Sequence, residues 1–293
     1  FLGITGCFIS IFKHIPLVFD VRDLWPDVAV ESGIFSPHNP LIKMSRQLAK
    51  FIYKRSTKIT PVTKTKYKKI LSIIHDSEKI KVIPNGVDFD RLVSFENPNL
   101  RKRLGLDDKF IVSYTGLIGI AQGIGNIISA AEELKDNNAI HFLIVGEGVE
   151  KEKLKRNAQH LGLRNVTFLP SQPRENIPGI LSEVNLVLVP LVSDQITDAV
   201  PSKLLEAWAC EKPVILIAGG EAAELVQRAD GGIVVDPKNP TSLASTIRSL
   251  SSKNIELNEY GRNGQVFVKE NFNRKYLVKK LEKTLYSTLR RKD

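Results

Sequence analysis

The stretch Phe110-Ile-Val-Ser-Tyr-Thr-Gly-Leu-Ile-Gly-Ile-Ala-Gln-Gly-Ile-Gly125 passes from a short apolar strand through a glycine-rich turn into a helix. The run from Phe110 to Tyr114, rich in β-branched and aromatic side chains, suits a strand buried on both faces. The same signature recurs downstream. Further strands are expected at 140–145, 166–169, 186–190, 213–217 and 232–235. Helices are expected between them, at 125–135, 149–161, 175–182, 201–210 and 222–229, with three more helical stretches after them, the last at 274–291. Short apolar strands alternating with amphipathic helices make βαβ units, whose parallel sheet carries helices on both faces. The C-terminal part therefore reads as a complete doubly wound α/β domain.

Towards the N terminus, the polar stretch 94–109, with Pro98 and Gly105, reads as a domain linker. Before it lie expected strands at 16–23, 58–63 and 79–84, a helix at 66–74 and a turn at Asn85-Gly86. These look like the remainder of a second domain of the same kind. The expected division is 1–95 for a partial N-terminal domain and 96–270 for the C-terminal one. Residues 271–293 form a terminal helix that is a candidate to fold back on the first domain. The apolar run from Phe1 to Phe12 is too short for a bilayer, which takes about 20 residues, and lacks the basic leader of a signal peptide. The chain begins with Phe, and this run reads as a helix entered part-way, with an N-terminal portion missing.

Composition narrows the function. With 293 residues, 42% of them hydrophobic and 25% charged, wholesale disorder is excluded. Two cysteines, Cys7 and Cys210, make neither a zinc cluster nor a disulfide framework, which fits a reducing cytoplasm. The five histidines are scattered and offer no H-x-x-x-H pair. The net charge of +10 has one source: between Leu41 and His75 there are ten Lys and Arg and no Asp or Glu. Leu41, Ile42, Met44, Leu48, Ile52 and Tyr53 run through this region at roughly helical spacing, which suggests an amphipathic helix with a basic face. That face is either simply solvated or attaches to anionic lipid headgroups. Nucleic acid ranks last, because few aromatics accompany the charges.

In parallel sheets ligands bind beyond the carboxyl ends of the strands, so the loops after Tyr114, Val145, Leu169 and Pro190 are the places to search. The strongest pattern there is Asp198-Ala-Val-Pro-Ser-Lys-Leu-Leu-Glu206. Pro201 suits the first position of a helix. The backbone N–H groups of Ser202, Lys203 and Leu204 would then be unpaired donors at a helix N-terminus, a phosphate-binding arrangement that the Lys203 ammonium would reinforce. Glu206 would lie about 7.5 Å further down the axis, a reach that matches the step from a diphosphate to a ribose. Equally, Asp198 and Ser202 are ordinary loop and cap residues, and Glu206 a routine helical one. Gly116, Gly119, Gln122 and Gly123 follow the first strand of this domain, where glycines would let the backbone approach phosphate. The dinucleotide fingerprint fails at Ile128, and no Walker pattern exists. Val145-Gly-Glu-Gly148 reads as a structural turn, and the loop Leu169-Pro-Ser-Gln-Pro173 offers backbone groups to a base edge. In the N-terminal part, Asp20-Val-Arg-Asp-Leu-Trp-Pro-Asp27 gathers carboxylates, an arginine and a tryptophan at a strand end. It is either a site or an Arg–Asp pair with Trp25 as local core.

Taken together, Leu143-Ile-Val-Gly-Glu-Gly148, Ile83-Pro-Asn-Gly-Val-Asp88 and the acid-x7-Glu spacing of Asp198 and Glu206 resemble the family-4 retaining glycosyltransferases. More narrowly, Val21-Arg-Asp-Leu-Trp-Pro-Asp27, Thr115-Gly-x4-Ala-Gln-Gly123 and Val200-Pro-Ser-Lys203 resemble the branch that builds bacterial O-antigen, capsule and colanic-acid sugars. The resemblance implies the GT-B fold of two Rossmann-like domains. It implies a nucleotide-diphosphate-sugar donor, commonly UDP-linked, held mainly by the C-terminal domain. Sugar would pass, with retention, to a saccharide or polyprenyl-linked acceptor at the cytoplasmic face of the membrane. By position, Glu206 would bind the ribose and Asp198 the donor sugar. Ser202, Lys203, Leu204 and the 116–123 loop would hold the diphosphate, and Ser171 would lie near the base. Arg22-Asp23 stands where many members carry a histidine, and Asp23 is the candidate for acceptor or donor-sugar contact. Leu117 and Gln122 replace a basic pair common in the family. No metal or cofactor is expected. A nucleotide-sugar 2-epimerase of the same fold, or a non-catalytic donor-binding subunit, is the alternative.

Overall fold

The computed structural model describes residues 2–31, 35–92, 99–191 and 197–289. The chain divides into two compact units: residues 1–86 with 274–293, and residues 87–273.

In the N-terminal unit, α1 (Leu2–Lys13) leads to β1 (Val18–Val21), α2 (Trp25–Glu31), α3 (Pro40–Arg55), β2 (Lys58–Pro61) and α4 (Lys64–Ile74). The strands pair in parallel, Val18 opposite Lys58 and Val21 opposite Pro61. Val21, Leu24, Tyr53, Ile59, Ile70 and Ile80 form the core. The stretch expected as a strand at 79–84 runs parallel beside β2, with a bridge from Ile80 to Ile59 and the Lys81 and Ile83 N–H groups donating to the Ile59 and Pro61 carbonyls at 2.9 and 3.0 Å, without making a regular strand. A 3-10 turn at Ser77–Lys79 occupies its start, and Pro84 has no N–H to donate to a ladder.

Asn39 caps α3 by accepting from the Leu41 N–H, and Pro40 opens its first turn. Ile42, Ile52 and Tyr53 are buried, whereas Leu41, Met44 and Phe51 are exposed. The outer side of α3 is therefore apolar as well as basic, not the clean division that the spacing predicts. The ten basic residues continue through Lys58 on β2 into α4, where Lys66 is only 2% exposed.

In the C-terminal unit the elements run α5 (Leu100–Leu104), β3 (Phe110–Thr115), α6 (Gly125–Glu133), β4 (Ile140–Val145), α7 (Lys151–His160), β5 (Val166–Leu169), α8 (Ile177–Ser182) and β6 (Leu186–Pro190). They continue as α9 (Ser202–Ala209), β7 (Val214–Ile217), α10 (Gly220–Ala229), β8 (Gly232–Val235), α11 (Pro240–Leu250) and α12 (Asn254–Asn271). The last helix, α13 (Arg274–Leu289), belongs to the N-terminal unit, where the Arg274 guanidinium donates to the Gly86 carbonyl at 3.0 Å.

All strands of the larger sheet are parallel, in the order β5-β4-β3-β6-β7-β8. Strand alternation divides the core cleanly. Ile111, Leu143, Val145, Val187 and Leu216 face one layer, which includes Leu181 of α8, Leu204 and Trp208 of α9, Val226 of α10 and Val268 of α12. Val112, Tyr114, Phe142, Ile144 and Ile215 face the other, against Ile127 of α6, Leu154 of α7 and Ile247 of α11. This is the doubly wound α/β arrangement. Its switch point lies between β3 and β6, where successive connections leave in opposite directions.

The polar stretch read as a linker is largely structural. Residues 93–98 lie outside the described residues, but Leu100 and Leu106 are buried in the core of the C-terminal unit. Arg101 donates to the Glu183 and Lys109 carbonyls at 2.7 and 2.9 Å and to Asn185 Oδ1 at 2.6 Å. Its own N–H donates to Glu183 Oε2 at 2.6 Å. The stretch is polar because one arginine fastens α5 to the loops around β6. The unit boundary accordingly falls at residues 86 and 87, ahead of the expected 95 and 96.

Candidate functional site

The candidate site is built on the carboxyl edge of the large sheet. Trp208 anchors α9: it is fully buried, and its indole N–H donates to the Gly231 carbonyl at 2.9 Å. The first turn of α9 is thereby held over the end of β3. Pro201, expected as the first helical residue, proves to be the N-cap, with an extended ψ of 134°, and the helix starts at Ser202. The Leu204 N–H, expected to be free, donates to the Pro201 carbonyl at 3.1 Å. The first turn closes in 3-10 fashion, which leaves the Ser202 and Lys203 amides as the helix-terminal donors. Leu204 contributes its side chain to the core.

Lys203 lies directly against Gly116. A Cβ at residue 116 would come 2.5 Å from Lys203 Cε and 3.2 Å from Nζ, so a side chain there would push the end of the lysine aside, and the φ of 141° also favours glycine. The ammonium stands 5.0 Å from the centroid of the Tyr114 ring, within cation–π range. Tyr114 is itself fixed, its hydroxyl donating to the Leu117 carbonyl at 2.5 Å. Among the described residues Lys203 Nζ makes no hydrogen bond or ion pair. Burial holds its pKa below the ordinary lysine value, and the nearby Glu206 carboxylate opposes that shift.

The loop after β4 supports this arrangement from beneath. A Cβ on Gly146 would overlap the Gly116 carbonyl oxygen, so the two loops are in backbone contact. The Ile118 N–H donates to the Glu147 carbonyl at 2.8 Å. Lys151 donates from α7 to Glu147 Oε1 at 2.6 Å and to the Leu169 carbonyl at 3.2 Å. Those bonds hold the Glu147 carboxyl below the usual range, Lys151 first, helped by the Ser171 backbone N–H. Val145-Gly-Glu-Gly148 is thus the structural turn expected, and it ties the Ser171 loop to the Gly116 loop.

Glu206, half-buried on the second turn of α9, accepts from Arg174 Nη2 at Oε1, 2.9 Å away. Sequence reasoning passed over Arg174. A signal existed: a cation opening a helical segment, at the Arg174–Asn176 turn before α8, stands where the helix dipole disfavours positive charge.

The remaining candidates are placed as follows. Gly119 and Gly123 line a 300 Å³ cleft with Asn126, Glu150 and Pro237, which does not include Lys203 or Glu206. Gln122 closes the short turn Ile120–Gln122 between them. Asp198 is only 2% exposed, beside Thr197, whose carbonyl accepts the Glu221 N–H at 2.9 Å. Asp23 belongs to the N-terminal unit, where it is exposed. Nearby, Arg22 pairs with Asp20 at 2.6 Å and also with Asn85, and Asp20 accepts from Thr60 at 2.9 Å. The Arg–Asp pair is therefore present, but Trp25 is 63% exposed and is not local core.

This fold and its carboxyl-edge loops place the chain among the Rossmann-like α/β proteins, and comparison with known proteins defines the family. Residues 96–267 match the family described as Glycosyl transferases group 1, and the chain belongs to that family. It is 31% identical over 229 residues to WcaI of Escherichia coli K12, a glycosyl transferase assigned to colanic acid biosynthesis; the alignment covers 71% of this chain and 56% of that protein. The chain spans about half the length of the curated relatives that it matches. Among solved structures, Anabaena HepE in complex with UDP and glucose superposes with a TM-score of 0.81 at 21% identity, over 97% of this chain and 75% of that one. WaaG, a glycosyltransferase involved in lipopolysaccharide biosynthesis, gives 0.70 at 20% identity, over 87% and 71%. The fold is GT-B.

Proposed function

We infer that the chain transfers a sugar from a nucleoside-diphosphate donor, UDP-linked, to a saccharide or polyprenyl-linked acceptor in cell-surface polysaccharide synthesis, with retention at the anomeric carbon. The observation that carries this reading is the Lys203 ammonium. It is half-buried at the switch point without an anionic partner among the described residues, beside two helix-terminal amides and a glycine that yields it space. A diphosphate would give this ammonium the close anionic partner that it does not have among the described residues.

In such a transfer the departing group is a nucleoside diphosphate, and negative charge grows on its oxygens as the bond to the sugar breaks. Lys203 and the α9 amides would oppose that charge from fixed positions, without a divalent metal. Glu206 would accept from the ribose hydroxyls. Asp198 is assigned to the donor sugar and Asp23 to substrate contact on the N-terminal unit. Ser171 is assigned to the base, which backbone groups of its loop would meet.

The acceptor side is assigned to an anionic membrane through residues 41–69, at the cytoplasmic face. Support comes from α3, which exposes Lys43, Lys50 and Lys54 together with Leu41, Met44 and Phe51, a combination suited to headgroups above and acyl chains below. Among the described residues no helix is long and apolar enough to cross a membrane.

The test is calorimetric titration of the chain with UDP, GDP and NAD, with and without EDTA. Binding of UDP that EDTA leaves unchanged and Lys203→Met weakens is expected. Binding of NAD alone would sink the reading.

A further inference from the structure

Glu206 stands between two cations. Lys203 is three residues before it on α9, the spacing at which oppositely charged side chains pair along a helix. Yet Glu206 is paired with Arg174, from the loop after β5, and Lys203 is left without a partner among the described residues. The Arg174–Glu206 bridge is monodentate: Nη2 meets Oε1 at 2.9 Å, and Oε2 makes no hydrogen bond among the described residues.

The bridge also spans the sheet edge. Arg174 follows edge strand β5 and Glu206 follows β6, with β4 and β3 between them. The loops carrying Gly116 and Gly146 lie at the ends of those intervening strands. Its stabilising value is small, because both partners face solvent in part and an exposed pair contributes about 0–1 kcal/mol. What it changes is the state of its neighbours. Released from Arg174, Glu206 would turn to Lys203, and one internal ion pair would consume both the carboxylate and the ammonium.

We propose that Arg174 is a positioning residue for the donor site: it holds Glu206 by one oxygen, leaves the other for the vicinal hydroxyls of a ribose, and keeps Lys203 free for a diphosphate. This role rests on the donor-site reading above. It assigns Arg174 no contact with substrate; its effect passes through Glu206.

A double-mutant cycle with UDP as the probe decides it, using calorimetry on the whole chain and thermal melting to show that each variant folds. Arg174→Ala is expected to weaken UDP binding about fivefold, Arg174→Lys to restore part of it, and Arg174→Ala to add nothing in a Glu206→Ala background. An equal loss in that background would overturn the role, since Arg174 would then touch the ligand itself. Unchanged or tighter binding by Arg174→Ala in the wild-type background would overturn it too. If the unmodified chain binds neither UDP nor GDP, the donor-site reading fails and this role with it. Binding by the unmodified chain without the expected coupling defeats the Arg174 role alone.

Discussion

Lys203 Nζ stands 5.0 Å from the centroid of the Tyr114 ring and directly against Gly116, so the last residues of β3 and the first turn of α9 make one surface. The ring attracts the ammonium without neutralising it, and the end of the lysine lies over Gly116. Replacement by an uncharged side chain of similar length separates binding from folding. Lys203→Met is expected to weaken nucleoside-diphosphate binding by about 2 kcal/mol, the scale of a charge-assisted hydrogen bond, and to leave the melting temperature equal or higher. Calorimetry and a thermal melt read the two effects.

The same ammonium predicts a pH dependence. Burial lowers the Lys203 pKa from its ordinary value of 10.5. Between the folded and unfolded values the unfolded chain binds more protons, so the contribution of this group to stability rises with pH across that window. Ligand binding runs the other way. A bound diphosphate favours the charged form, so affinity falls as pH rises through the depressed pKa, and binding takes up a proton in that range. Titrations in two buffers of different ionisation enthalpy should show proton uptake at alkaline pH, which Lys203→Met removes.

Gly146 carries a φ of 154°, and a Cβ there would overlap the Gly116 carbonyl oxygen. Gly146→Ala is expected to cost about 2–4 kcal/mol by denaturant unfolding, through strain and displacement of the Gly116 loop. Gly162, at a φ of 66° with open space around it, is the comparison: alanine there costs only about 1 kcal/mol.

Arg101→Ala tests whether the polar stretch before β3 is structure or tether. The substitution strips hydrogen bonds from Asn185 Oδ1 and from the carbonyls of Glu183 and Lys109. A loss of about 2–4 kcal/mol in the C-terminal unit is expected. A change below about 0.5 kcal/mol, the range of an ordinary surface substitution, would return the stretch to the role of a linker.

The membrane assignment makes its own prediction. Replacing Lys43, Lys50 and Lys54 by Glu should abolish co-sedimentation with vesicles containing phosphatidylglycerol, at about 1 kcal/mol for each lysine lost. UDP affinity should be unaltered. Equal sedimentation of the triple variant and the unmodified chain would leave α3 a solvated face.

The repeating order of apolar strand, turn and helix from Phe110 onward was legible in the sequence, because buried parallel strands and amphipathic helices advertise themselves through local periodicity. So was the region of the candidate site, since the carboxyl ends of such strands can be counted along the chain. That the stretch 79–84 runs beside β2 without becoming a regular strand was not legible, nor was the exposure of Met44 and Trp25. Periodicity tells which side chains are apolar, but neighbours far away in sequence decide which of them are covered.

What the sequence by itself determined was the class of fold, the run of positive charge from Lys43 to Lys69, and the presence of a lysine and a glutamate in the first turns of a helix after β6. These depend on residues close together along the chain. Only the tertiary structure decided that Lys203 meets Gly116, that Glu206 pairs with Arg174 rather than with Lys203, and that Arg101 fastens the segment before β3 to Glu183 and Asn185. Each of those contacts joins residues brought together by strand order, and the order β5-β4-β3-β6 is set by how the helices cover both faces of the sheet. That is a property of the packed core as a whole, which no local spacing carries.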